Sequence, residues 1–448
     1  MRWLPILVCS LGLAAAVRLP AAEGVPDDRT ATYRQFRSAF DGGNFAAALP
    51  LAVQVVDLTR NQFGATATEM ANPLANLATT LLRMRDYGKA LDNYRQALNL
   101  LDLQGDNTNP RLVAPLHGMG LALQGLKRDE EAIVPLKRAV DIIRNRSGLH
   151  AAAQLPMLTA LIESYANSGR IEDATREHQY AYTVAETSFG KNDVRLLEPL
   201  DRFARWQESI GRYTVARTLH ARAVEIADAA QPGSLLAING LRGISRSFRL
   251  AFLNGETEDA ALAADDLPGS FSNSRARVLA SQSSETERTL RDALQRLDAA
   301  TGDHSALRGA VLIDLGDWYL TADAGARAIA AYRDAWRALA TAGDTSALAN
   351  PVAVAYRAPT MAVSRKIESP DEFVQQVVEL RLSIAATGEL RAATVANPAA
   401  EREVAERAVL SAVRRGLWRP AFSNGAPVAV TDFIFSERVN VRRPNSSN

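Results

Sequence analysis

Residues that carry chemistry are scarce in this chain. Its one cysteine, Cys9, lies inside the first apolar run, so the remainder offers no disulfide, no thiolate nucleophile and no Cys-ligated metal. The five histidines show no HExxH or comparable ligand spacing. No GxSxG elbow, phosphate-binding glycine loop or CxxC occurs either. Charge of one sign is missing too: the formal net charge is +1, which gives no electrostatic footprint for nucleic acid. No apolar run reaches the ~20 residues that span a bilayer. These absences predict no catalytic, cofactor-binding or metal site, and a chain that is not an enzyme. What is present, 47% hydrophobic and 23% charged residues, is the make-up of a folded protein. At 448 residues the chain exceeds the ~100–200 usual for one domain, which predicts two or more units.

The N-terminus is built for export. "MRW" supplies a positive charge, "LPILVCSLGLAAAV" an apolar core of 14 residues, and "RLPAAEG" a small-residue stretch. That layout predicts a secretory signal peptide over residues 1–22, cleaved after Ala22, and a periplasmic mature chain. The alternative is an uncleaved anchor in the inner membrane, with the chain facing the periplasm; membrane contact is expected only in that case.

A repeat follows. "GNFAAAL", "RDYGKAL", "RDEEAIV", "GRIEDAT" and "GRYTVAR" align on Ala48, Ala90, Ala132, Ala174 and Ala216, in steps of 42. A large residue stands four after the alanine (Tyr94, Leu136, His178, His220), and apolar pairs such as Leu74/Leu77 and Leu158/Leu161 stand upstream. Spacings of three and four mark helix faces. The unit is therefore two antiparallel helices, reversing at turns that contain Gly43, Gly169 or Gly211, with Gly64, Gly105, Gly148 and Gly190 as C-caps. This resembles the tetratricopeptide repeat in the lengthened form of kinesin light chain, with about one extra turn per helix over the usual ~34 residues. The grammar weakens between 230 and 300 and returns around Ala328, so one solenoid is expected over 30–342, then a linker over 343–369.

After Pro370 the period changes to two. "VELRLSI" sets Val378, Leu380, Leu382 and Ile384 on one face. "ATGEL" turns the chain into a second strand, "LRAATV". "EREVAERAVLSAVRRG" reads as an amphipathic helix with Val404, Ala408, Ser411 and Ala412 on its inner side. Trp418 can pack on the sheet, Asn424-Gly425 makes a turn, and "PVAVTDFIF" is a last strand. The expectation is a mainly α protein, a helical-hairpin solenoid followed by a small α+β domain of order β-β-α-β over 370–437, with a flexible tail over 438–448. The tract "AVRRGLWRPAFSNGAPV", with Gly388-Glu389-Leu390 before it, resembles the C-terminal domain of the TonB family of the Gram-negative envelope. No Pro-rich spacer accompanies it.

Two surfaces are candidates for binding. Counting from the aligned alanines, Ala75, His117, Thr159 and Asp201 share one position, and Thr79, Leu121, Glu163 and Arg205 another. Those rows would line a solenoid groove. The TonB resemblance implies a second surface, a strand-recruiting edge at Val428, Val430, Thr431, Phe433 and Phe435. The expected function is a periplasmic protein-interaction scaffold with protein or peptide partners of the envelope and no nucleic acid. An energy transducer or accessory of outer-membrane transport, anchored by its N-terminus, is one alternative, and a cryptic hydrolase is another.

Overall fold

The computed structural model describes residues 28–254, 271–359 and 373–442. The expected signal segment lies outside them. The chain is a mainly helical hairpin array followed by a small α+β region with antiparallel strands. It divides into two compact units, Met1–Leu149 with Pro156–Ile171, and His150–Leu155 with Glu172–Asn448.

In the first unit the helices are α1 (Asp28–Asp41), α2 (Phe45–Phe63), α3 (Ala71–Arg83), α4 (Tyr87–Asp102), α5 (Val113–Gly125), α6 (Asp129–Ser147) and α7 (Leu155–Asn167). The second holds α8 (Ile171–Phe189), α9 (Leu197–Ser209), α10 (Tyr213–Ala230), α11 (Ile238–Asn254), α12 (Phe271–Ala299), α13 (Ser305–Thr321) and α14 (Gly325–Thr341). The sequence period is copied in the backbone: α3, α5, α7 and α9 are 13 residues each and start 42 apart. Every aligned alanine, Ala48 to Ala216 and also Ala328, is fully buried. Only a methyl group stands there, so neighbouring helices can close on it. Ala132→Leu is therefore expected to cost ~1–3 kcal/mol by overpacking. A thermal midpoint equal to wild type would remove the alanine row from the helix contacts.

The turn five residues before each alanine is left-handed: Gly43, Arg85, Lys127, Gly169, Gly211 and Asp323 all have positive φ, between 56° and 80°. Glycine adopts this freely, and the three other residues do not. They are held by the same helix-ending bonds, as where Asp86 N–H donates to Leu81 O at 2.9 Å and Arg128 N–H to Leu123 O at 2.9 Å.

The C-terminal region contains β1 (Val352–Ala355), β2 (Phe373–Ile384), β3 (Leu390–Val395), α15 (Glu403–Arg414), β4 (Leu417–Arg419), β5 (Ala421–Ser423), β6 (Ala426–Val428) and β7 (Val430–Arg442). β2 is the centre of a sheet of order β3-β2-β7, antiparallel on both sides. Its inner face, Val378, Leu380, Leu382 and Ile384, is buried against Ala405, Val409, Val413 and Trp418. The helix differs from expectation by one residue. Val404 is exposed, as is Ser411, and the stripe that meets the sheet runs through Ala405, Val409, Ala412 and Val413. The strand count differs as well. β1 lies within the segment read as linker and pairs with β4, Val352 opposite Arg419. β7 continues to Arg442, where a tail was expected, because β2 pairs with it along that length.

Two glycine positions need the freedom of that residue. Asn424 and Gly425, at φ 50° and 76°, form the two-residue turn from β5 to β6, as in a type I′ hairpin. Gly388 has φ 87°, and a Cβ there would stand 2.2 Å from the Trp418 carbonyl oxygen. The β2–β3 turn is thereby pressed onto β4.

Candidate interaction surfaces

The groove rows fall in both units. In the first, His117 on α5 is half-buried and burial holds its pKa below the usual histidine range; on α7, Thr159 is half-buried and Glu163 exposed. Thr79 on α3 lies 2.9 Å from the Tyr94 hydroxyl. In the second unit Asp201 and Arg205 form an ion pair one helical turn apart, Arg205 Nε donating to Asp201 Oδ2 at 2.7 Å. Their charges thus satisfy each other on α9, and as an exposed i,i+4 pair they add only ~0.3–0.5 kcal/mol.

The expected strand-recruiting residues do not form one strand. Val428 ends β6 and pairs with Ala421 of β5, while Val430, Thr431, Phe433 and Phe435 belong to β7. Phe433 and Phe435 turn inward, Phe435 meeting Trp418 edge-on at 5.4 Å and Tyr356 at 5.1 Å. Thr431, Asp432, Ile434, Ser436 and Arg438 are exposed. Opposite Ser383 the register shifts, since Val430 faces Ile384 and Phe433 faces Leu382. Asp432, at φ 61°, forms that bulge, and Arg381 donates to its carboxylate at 3.3 Å. β7 is 13 residues long and ends the sheet; among the described residues no strand pairs with its other side.

Sequence reasoning placed His178 and His220 at packing positions, and both are buried. His178 stacks on Phe203 and Trp206, and burial, aided by the Arg202 charge, pushes its pKa down to about 4. His220 stands 3.2 Å from Glu208 Oε1, which also accepts from Ser247 Oγ at 2.6 Å, while Arg246 Nε donates to Oε2 at 2.8 Å. Burial alone would raise the Glu208 pKa. The three donors and the Arg246 charge overcome it and hold the carboxyl at about 2. Gly243 makes room for this network, because a Cβ there would lie 2.3 Å from His220 Nδ1.

A second buried network was missed. Asp317, Tyr332 and Arg419 come together from α13, α14 and β4. The signal for Asp317 was available, since it stands eleven residues before Ala328, as Thr79 does before Ala90. No group of three or more His, Cys, Asp or Glu among the described residues could hold a metal ion. No described helix is long and apolar enough to cross a membrane.

Comparison with known proteins agrees with the hairpin geometry over the first repeats. The tetratricopeptide-repeat family profile matches residues 37–103 and 69–145. Over those residues the hairpins are tetratricopeptide repeats. No curated protein matches the chain. Among solved structures it is similar to kinesin light chain TPR-like repeats from Podosopora anserina, at 17% identity, with 45% of this chain and 95% of that one covered and a TM-score of 0.41. It is also similar to the C-terminal part of a TPR protein from Cytophaga hutchinsonii, at 13% identity over 70% and 97% of the two chains, TM-score 0.45. A third is apo RapI, at 11% identity over 71% and 99%, TM-score 0.40.

Proposed function

We propose that this chain is an exported scaffold of the cell envelope, in which the TonB-like C-terminal module holds an extended segment of a partner protein along β7. The observation that carries the reading is the length of β7, which among the described residues is paired on one side only. Unpaired N–H and C=O groups of such an edge are a template for another strand, main-chain bonds supplying affinity and alternate side chains selectivity. The apolar N-terminal segment, followed by the small residues up to Ala22, supports export. The scarcity of chemistry-bearing side chains supports a binding role over a hydrolytic one.

One experiment tests place and edge together. The full chain is expressed in a Gram-negative host, its intact mass is measured, and envelope proteins are captured on it. A mature start near Glu23 is expected; a full-length form retained in membranes would favour the anchored transducer. Thr431 has no partner in β2, so Thr431→Pro removes a donor without breaking a rung of the sheet. It is expected to weaken the captured partner ~5–10-fold, the worth of about one hydrogen bond, with unchanged circular dichroism. Equal affinity in a folded Thr431→Pro protein would take the binding role away from β7 and return it to the helical repeats.

A further inference from the structure

Arg419 is buried in a way that no surface or edge role requires. Its Nε and Nη2 donate to the two oxygens of Asp317 at 2.9 and 2.8 Å, and its Nη1 to the Ala347 carbonyl at 3.4 Å. The Tyr332 hydroxyl completes the site, donating to Asp317 Oδ1 at 2.9 Å. All three residues are more than nine-tenths buried. The planar fork of a guanidinium matches a carboxylate at both oxygens, which an ammonium cannot do.

The position of Asp317 in the repeat gives this pair its meaning. Eleven residues before the aligned alanine stand Thr79, Leu121, Glu163 and Arg205 in the earlier hairpins, and Asp317 in the last. Four after the alanine stand Tyr94 and Tyr332. The Thr79–Tyr94 and Asp317–Tyr332 bonds are therefore the same bond made in two repeats, each 2.9 Å long. At Gly316 a Cβ would lie 2.3 Å from the Tyr332 ring, so glycine lets that ring lie against α13 beside the carboxylate. In the last hairpin the C-terminal strand segment enters this row through Arg419. Phe422, three residues after Arg419, joins the helical core and meets the Tyr332 ring edge-on at 6.2 Å.

We propose that Asp317 and Tyr332 form a guanidinium socket in the last helical hairpin, and that Arg419 is its built-in ligand. Arg419 locks β4 and β5 to α13 and α14, so that the strand module and the end of the helical array unfold as one body. A buried ion pair adds little stability over apolar residues of the same volume. Its use here is register: the fork accepts one placement of β4 and rejects a slipped one. Arg419 lies outside β7, so loss of the lock is read in stability and loss of the edge in partner affinity.

The test uses the full chain and thermal unfolding followed by circular dichroism. Arg419→Ala is expected to lower the midpoint by about 10 °C, since it strands a buried carboxylate. Millimolar ethylguanidinium should recover a large part of that loss, whereas ethylammonium at equal ionic strength should not. Adding Asp317→Asn should abolish the recovery. Arg419→Lys keeps the charge without the fork and should fall between, which keeps the test open if the alanine variant does not fold. A midpoint within about 1 °C of wild type for Arg419→Ala or Arg419→Lys, or equal rescue by the two cations, would overturn the socket.

Discussion

Replacing Trp418 with alanine is expected to destabilise the C-terminal sheet by ~3–5 kcal/mol, the range for truncating a large buried aromatic. The ring is only 1% exposed and sits in the core that joins β2 to α15. It meets Phe435 edge-on, at an interplanar angle of 87°, and its indole N–H donates to the Val413 carbonyl at 3.4 Å. The Trp418 carbonyl also supports the β2–β3 turn, where Gly388 approaches it too closely for any side chain. Alanine would leave a void between three elements that cannot all close on it. Urea unfolding of the full chain should show an earlier loss of sheet signal, and Trp418→Phe should recover part of it. A loss below ~1 kcal/mol in Trp418→Ala would mean that the ring is not what holds α15 to the sheet.

Local periodicity made much of this architecture legible. The alanine spacing located the hairpins to within a few residues, because close helix approach leaves a small residue wherever it occurs. The alternation at Val378–Ile384 showed which face of β2 is buried for the same kind of reason. The left-handed turns were read only where glycine filled them, at Gly43, Gly169 and Gly211. At Arg85, Lys127 and Asp323 the backbone bonds impose a conformation that the residue type does not advertise. Non-local pairing was the harder part. β1 is four residues long, and its partner β4 lies some sixty residues further on. A short alternation between prolines does not identify such a partner. Nothing in the local pattern marks Arg419, since its counter-charge stands 102 positions away on α13. Phe433 and Phe435 illustrate the same limit on the proposed edge: a β-strand presents one face to the core, and the bulge at Asp432 decides which residues take it.

Acid is expected to weaken the second unit in two successive steps. His178 is held neutral by burial between Phe203 and Trp206, with its pKa lowered from 6.5 to about 4. In the unfolded chain it takes up a proton near its ordinary value. Its contribution is therefore complete above pH 6.5 and is lost as pH falls through about 4. Glu208 works through its charged form, with a pKa lowered from 4.5 to about 2, so its contribution is complete above 4.5 and lost toward about 2. At ~1.4 kcal/mol per pKa unit, each group accounts for roughly 3–4 kcal/mol. Unfolding free energies from urea titrations at a series of pH values should fall first between 6.5 and 4, then again below 4.5. His178→Phe keeps an aromatic ring on the same stack and has no proton to gain, so the first step should vanish while the second remains. Glu208→Gln should do the reverse, flattening the acid limb and lowering stability already at neutral pH, because the partly buried Arg246 loses its counter-charge. If the His178→Phe curve keeps the same slope between 6.5 and 4 as wild type, the proton that drives that step binds elsewhere and the stacked histidine is not the acid-sensitive group.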